Sequence, residues 1–274
     1  RGPVTTSLRE AALAIGRAGV RAADPGLRTR AALASSAIHD HLSSVAGVRV
    51  VAVGKASVAM WAAAAPLLPP VREAVVISPA APPTAPASPA RVHVAGHPLP
   101  NAGSHAAALA PLALAHRVGH DERLVLLVSG GASALMAGPA DGVSLDDKLA
   151  TTRALLRCGA DIVEINTVRK HLSAVKGGRL ACAAGGRCLT LALSDVIGDH
   201  EDDLSVIGSG PGVSDASTFA DALAIIEARG LRDTLPTPVV ARVPAGARGE
   251  VEETPKPGAP GLRDPVAMAI GGRR

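Results

Sequence analysis

Apolar positions along the chain come in two alternating textures. Short runs dense in β-branched residues, at 48–53, 74–77, 91–95, 124–128 and 188–193, predict strands. Longer Ala- and Leu-rich segments with a helical period separate several of them. The strand runs are apolar at successive positions rather than at every second one, so both faces of their sheet must be covered. That predicts an α/β fold of three layers, α/β/α, around a mostly parallel sheet. Ser144 with Asp147, and Asp161 with Glu164, have the spacing of capping boxes at helix starts. A further helix is expected from Ser217 towards Gly230, capped by Asp215 or Ser217, with Phe219, Leu223 and Ile226 on its buried face. Near the start, Arg9, Arg17 and Arg21 around Leu8, Leu13 and Val20 predict an amphipathic helix; Glu10 and Asp24 argue against a transit peptide. The Pro/Ala-rich segment 79–89 reads as an extended loop. From Pro236 the pattern decays, and 254–265, with four prolines, reads as a linker or tail.

Composition narrows the function classes. Of 274 residues 47% are apolar, yet the aromatic rings are Trp61 and Phe219 alone, so the core is packed from Ala, Val, Leu and Ile. The net charge of +4 suits an anionic ligand. Dispersed basic residues without stacking rings exclude nucleic acid as the expected partner. Cys158, Cys182 and Cys188 are an odd number without CxxC spacing, which points to a reducing cytoplasm rather than a disulfide framework. No apolar stretch is long enough to predict a membrane span.

Chemistry concentrates where strands end. In an open parallel sheet, ligands bind beyond the carboxyl ends of the strands. There the chain places Gly54-Lys55-Ala56-Ser57, then Ser129-Gly130-Gly131 with Ser133, then Asp195 and Asp199 around a glycine turn. A cation, a Gly-rich anion cradle and paired carboxylates are what phosphoryl transfer with Mg²⁺ requires. In the stretch 166–181, read as one helix, Asn166, Arg169, Ser173 and Lys176 form a polar stripe suited to an anion, while Val168, Leu172 and Val175 pack and His171 is structural. Ser209 and Gly210, in a Gly/Ser-rich turn, form a second phosphate loop or merely precede a helix. His97 is expected to hold a loop. Neither GxGxxG nor the Walker pattern GxxxxGK[ST] occurs.

Taken in order, VAVGKAS, AGHPLPN, LLVSGGASAL, NTVRKHLSAVKGGRLA, LSDVIGD and SGPGVSDAST resemble the glycerate 2-kinase family, which joins an N-terminal kinase-type domain to a C-terminal MOFRL domain. The likeness runs over residues 7 to 257. It implies a Rossmann-like domain over residues 1–253, followed at 254–274 by a linker and the truncated start of a MOFRL domain. It also implies phosphorylation of D-glycerate to 2-phosphoglycerate with ATP and Mg²⁺. Lys55 matches the family's catalytic lysine. Ser129, Gly130, Gly131, Ser133, Arg169, Lys176, Ser209 and Gly210 are the candidate substrate- or phosphate-binding residues, and Asp195 and Asp199 the candidate metal ligands. Which loop holds ATP and which D-glycerate stays open, because every candidate loop is cationic or Gly-rich. Two other readings remain: a non-catalytic fragment that binds anions and needs a separate MOFRL domain or a second copy, and, last, a hydroxypyruvate reductase.

Overall fold

The computed structural model describes residues 7–194, 202–262 and 265–271. Six strands form one parallel sheet: β1 (Gly47–Val53), β2 (Val71–Ser78), β3 (Ala90–Val94), β4 (Glu122–Ser129), β5 (Cys188–Leu193) and β6 (Val266–Ala269), in the order β3-β2-β1-β4-β5-β6. Among the described residues the helices are α1 (Leu8–Ala22), α2 (Pro25–Leu33), α3 (Ser36–Ser43), α4 (Ser57–Ala64), α5 (Ala102–His116) and α6 (Ala132–Leu135). They continue with α7 (Leu145–Arg157), α8 (Ile162–His171), α9 (Arg179–Ala183), α10 (Phe219–Ala228) and α11 (Thr237–Ala247).

Alternation inside the apolar strands explains the three layers. Val51 and Val53 of β1 pack with Leu124, Leu126 and Val128 of β4 in the core that contains α5, α6 and α9. Val50 and Ala52 face the other way, against Trp61 and Met60 of α4 and Leu33 and Ile38 of α2 and α3. Side chains of opposite parity are thus buried on opposite faces, as continuous apolar strands require. A third cluster joins α7, α8, α10 and α11 around Phe219, Leu155, Val168 and Val239. Its edges are held by Arg229, whose guanidinium bonds Glu164 at 2.6 and 3.1 Å.

All five expected strands are present. Both capping boxes form, with Ser144 and Asp161 accepting from the N–H groups of Asp147 and Glu164. The cap of α10 is Thr218, one residue beyond Ser217 and three beyond Asp215, with Asp221 closing the box. Three expectations need correction. The 166–181 stretch is not one helix. α8 stops at His171, and Gly177 and Gly178 (φ 57° and 82°) turn the chain before α9, so Ser173 leaves the polar stripe and donates to the Gly138 carbonyl instead. Residues past Pro236 do not decay: α11 forms because Pro238 sits in its first turn, where no N–H is needed. The stretch expected from 254 as a linker or tail is packed at both of its described ends. Thr254 is buried, β6 adds to the sheet edge beside β5, and the Ile270 N–H bonds the Ala192 carbonyl at 2.8 Å. α1, by contrast, is the amphipathic helix expected, and none of its residues is buried.

Candidate functional site

From β1 the chain runs outward through β2 and β3, then returns to place β4 on the other side of β1. Where the order reverses, the loops leaving β1 and β4 diverge and open a crevice at the carboxyl ends of the strands. Two of the expected motifs are those loops. The Lys55 N–H donates to the Gly130 carbonyl at 2.8 Å, and the Ala56 N–H to Ser129 Oγ at 3.1 Å. Ser129 is therefore buried and occupied in joining the two turns. At Gly54 (φ 129°) a Cβ would overlap the Ser129 hydroxyl and stand 2.7 Å from its carbonyl carbon, so the loops approach this closely only with glycine there.

Gly131 (φ 88°) is the meeting point. A Cβ on it would lie 2.8 Å from His97 Cδ2 and 3.4 Å from Lys55 Cγ, which places the exposed Lys55 and His97 side chains against the diglycine turn. His97 belongs to a loop pinned by Asn101 and Ser104. Both side-chain oxygens accept from the Gly96 N–H at 3.1 Å, while Asn101 caps α5.

Beside Gly131 the crevice widens into a cavity of about 340 Å³. Leu145, Lys148, Leu149, Thr152 and Leu156, at helical spacing on α7, supply one wall; Pro98, Leu99 and Pro100 add apolar surface. Ser133, Arg169 and Lys176 also line it, and no described lining residue is a carboxylate. Lys148 and Lys176 are buried. Their partners are neutral: Lys148 Nζ donates to the carbonyls of Leu172 at 2.9 Å and Gly138 at 3.3 Å, and Lys176 Nζ to that of Gly208 at 3.4 Å. Arg169 Nε donates to Thr152 Oγ1 at 3.5 Å. Burial, reinforced by Arg169, pushes the Lys148 ammonium down to about 7. Burial, then Lys148 and Arg169, hold Lys176 well below the ordinary lysine value. Basic side chains crowded together, with carbonyl and hydroxyl partners and no described carboxylate, make a site that an anion could complete.

Ser209 supports this cavity from below. It is buried at φ 60° between Gly208 (φ 63°) and Gly210 (φ 61°), a left-handed conformation that L side chains rarely adopt. Its hydroxyl donates to Asn166 Oδ1 at 2.9 Å and meets Ser133 Oγ at 2.9 Å, while the Gly210 carbonyl accepts from the Gly178 N–H. Asn166 Nδ2 is buried and finds no partner among the described residues. Ser209→Ala keeps the unfavourable backbone and loses both contacts, so it should lower stability by about 1–2 kcal/mol. Ser209→Gly, which relieves the backbone, should recover about 1 kcal/mol of that in urea unfolding. Equal losses in the two variants would show that the conformation costs nothing.

The structure thus brings Lys55, Gly130 and Gly131 to one crevice and Ser133, Arg169 and Lys176 to the cavity beside it, with Ser209 one hydrogen bond behind. Lys148 was missed by the sequence reading. Its signal was weak: a lysine that shares a helix face with Leu145, Leu149 and Leu156, but also with Thr152, on a helix recognised only by its cap. Asp195 and Asp199 lie outside the described residues. Among the described residues no group of three or more His, Cys, Asp or Glu gathers, and no helix is long and apolar enough to cross a membrane.

Sheet order and the crevice between the loops leaving β1 and β4 define a Rossmann-like α/β domain with a cavity lined by basic side chains beside its switch point. Residues 11–243 match the family described as "Domain of unknown function (DUF4147)", and the chain belongs to that family. It is 39% identical over 211 residues to the D-glycerate 2-kinase of Thermotoga maritima, covering 76% of this chain and 48% of that protein. With the glycerate 2-kinase of Pyrococcus horikoshii it shares 44% over 174 residues, 64% of this chain and 39% of the relative. A putative hydroxypyruvate reductase of Agrobacterium vitis is 43% identical over 210 residues, 76% of this chain and 46% of its own. Among solved structures, a glycerate kinase (EC 2.7.1.31) from Thermotoga maritima superposes with a TM-score of 0.80 at 34% identity, over 97% of this chain and 59% of that one. The chain spans less than half the length of these curated relatives.

Proposed function

We propose that the chain forms the substrate-holding part of an ATP- and Mg²⁺-dependent D-glycerate 2-kinase acting in the cytoplasm. The observation that carries this is the convergence of Lys55, His97 and Gly131 at the switch point, with the cationic cavity opening beside Gly131. In the reaction, the 2-hydroxyl oxygen of D-glycerate forms a bond to the γ-phosphorus of ATP. The bond from that phosphorus to the β,γ-bridging oxygen breaks, ADP leaves, and the hydroxyl proton passes to solvent. Such a transfer asks the protein for positioning and for positive charge around the moving phosphoryl group. Lys55 supplies that charge at the crevice. Ser133, Arg169 and Lys176 hold anionic oxygens in the cavity, and Ser129, Gly130, Ser209 and Gly210 set the loops that aim them. Mg²⁺, for which Asp195 and Asp199 are the candidate ligands, neutralises donor phosphate charge when bound. In this reading the facing wall of the cleft comes from a MOFRL domain, in the same polypeptide or separate, or from a second copy of the chain.

The name carried by the Agrobacterium vitis relative favours a second reading, reduction of hydroxypyruvate. A dinucleotide fingerprint asks for glycines at GxGxxG after the first strand, and the turn here is Gly54-Lys55-Ala56-Ser57, which favours the kinase. The test is ADP release from Mg-ATP with and without D-glycerate, for this chain alone and mixed with the C-terminal half of the Thermotoga maritima relative. Glycerate-stimulated ADP release with 2-phosphoglycerate as product is the expected result. Oxidation of NADH by hydroxypyruvate without ADP release would replace the kinase by the reductase. Neither activity in any mixture would leave a non-catalytic anion-binding unit.

A further inference from the structure

We infer that the cavity beside Gly131 is the subsite of the phosphoryl donor: a nucleoside triphosphate lies there with its phosphates on Lys148, Arg169 and Lys176 and its base on Leu145, Leu149 and Leu156, with little choice of base. This rests on the kinase reading and divides its two ligands between two places. D-glycerate then belongs on the Lys55 and His97 side of Gly131.

Charge separates the two ligands first. Lys148, Arg169 and Lys176 line one cavity without a described carboxylate among its walls. A polyphosphate compensates several cations at once, whereas a single carboxylate such as that of glycerate leaves most of them uncompensated in a dry site. In its ammonium form Lys148 has spent two of three N–H donors on carbonyls and Lys176 one, so an anion that keeps both protonated finds a donor left on each.

Size and wall chemistry agree. At about 340 Å³ the cavity lies in the range that encloses a drug-sized molecule, and a three-carbon acid would leave much of it empty. Most of its surface is aliphatic: Leu99, Leu145, Leu149 and Leu156 with two prolines and two alanines. Glycerate, polar at every carbon, gains nothing from such walls, but a planar base does. Besides Lys148, Arg169 and Lys176 the polar lining groups are Ser133, Thr152 and a fourth cation, Arg153. Ser133 faces Ser209, Thr152 accepts from Arg169, and Arg153 is exposed. The edge of a base therefore meets no buried donor or acceptor committed to it, and apolar pockets discriminate weakly between ligands that differ only in polar groups.

The test is calorimetric titration of the chain with ATP, GTP, inorganic tripolyphosphate and D-glycerate. ATP and GTP should bind within about tenfold of each other, and tripolyphosphate should compete with both. Leu149→Trp, which fills the aliphatic wall, and Leu156→Gln, at an exposed rim position that folding tolerates, should weaken ATP by about tenfold and tripolyphosphate by less than twofold. Lys176→Met should weaken ATP and tripolyphosphate alike. Rejection of GTP by more than about a hundredfold, ATP binding blind to both leucine variants, or no ATP binding would overturn the assignment. Glycerate-dependent turnover whose KM for ATP is unchanged in the leucine variants would remove the subsite and leave the kinase. The expected binding pattern without turnover in any mixture would do the reverse.

Discussion

Lys55→Ala should lower kcat for phosphoryl transfer to D-glycerate by about 10²–10³-fold while leaving the melting temperature nearly unchanged. The two halves of this expectation come from different atoms of the same residue. The structural work at the turn is done by the Lys55 main chain, whose N–H reaches the Gly130 carbonyl, and by Gly54, which lets the turn touch Ser129. Alanine keeps that N–H, and the side chain it removes is exposed, so the loss of stability should stay within about 1 kcal/mol. The ammonium, in contrast, stands at the crevice where the negative charge of a transferring phosphoryl group would develop, and a positioned cation there is worth far more in the transition state than in the ground state. Lys55→Arg should not restore the rate, because a planar, longer guanidinium spreads its charge away from the point that the compact ammonium occupies. The measurement is glycerate-stimulated ADP release from the pairing that gives the highest wild-type rate, with thermal unfolding in parallel. Full activity in the alanine variant would remove Lys55 from the chemistry.

Much of this site was legible because its chemistry follows directly from strand ends. Runs such as 124–128 are apolar at every position, so the strand, its burial on both faces and the loop beyond it could all be read from one stretch of sequence. Gly54, Gly130 and Gly131 were legible for the same reason, although which glycine does what was not. Gly54 is dictated by contact with Ser129, seventy-five positions away, and no local pattern carries that information. The same gap hid the role of the Ser129 hydroxyl in accepting from the Ala56 N–H of the neighbouring turn. Periodicity did not show β6, because a four-residue edge strand after a Pro-rich stretch has too few positions to carry a period, and its pairing with β5 supplies what the pattern lacks. Prolines hid α11, though one of them stands where helices tolerate it. Lys148 was hidden by its surroundings. Its neighbours at three and four positions are Ser144, Leu145, Thr151 and Thr152, so on a mostly polar stretch the lysine reads as a surface charge until the partner wall, contributed by Arg169 and Lys176, is known.

Asp215→Ala should destabilise the chain by about 3–5 kcal/mol, a large share of the roughly 5–15 kcal/mol that holds an ordinary domain. Asp215 is fully buried and gathers four donors: Lys170 Nζ at 3.1 Å, the Ser217 N–H at 3.0 Å, Ser217 Oγ at 2.7 Å and Thr254 Oγ1 at 3.0 Å. Lys256 continues the network to Ser217 and Thr254. One carboxylate therefore ties α8, the turn before α10 and the 254–256 segment together, and removing it strands the buried Lys170 ammonium. The sign of the pH dependence follows from the carboxyl itself. Burial raises its pKa, but Lys170 and Ser217 outweigh burial and hold it below the usual carboxylate value. A depressed folded value means that the stabilisation is complete above the unfolded pKa of about 3.9 and is lost as pH falls through the folded one. The wild-type chain should accordingly lose stability on acidification below about pH 4 more steeply than Asp215→Ala, and the gap between the two unfolding midpoints should narrow as pH falls further. Because Lys170 is the helical neighbour of Arg169, the variant should also weaken tripolyphosphate binding at neutral pH, whereas Asp215→Asn, which keeps the shape and some of the acceptors, should recover part of both losses. Denaturant titrations at pH 7 and pH 3.5 would decide it. A difference that stays constant across that range would mean that shape, and not charge, is what Asp215 contributes.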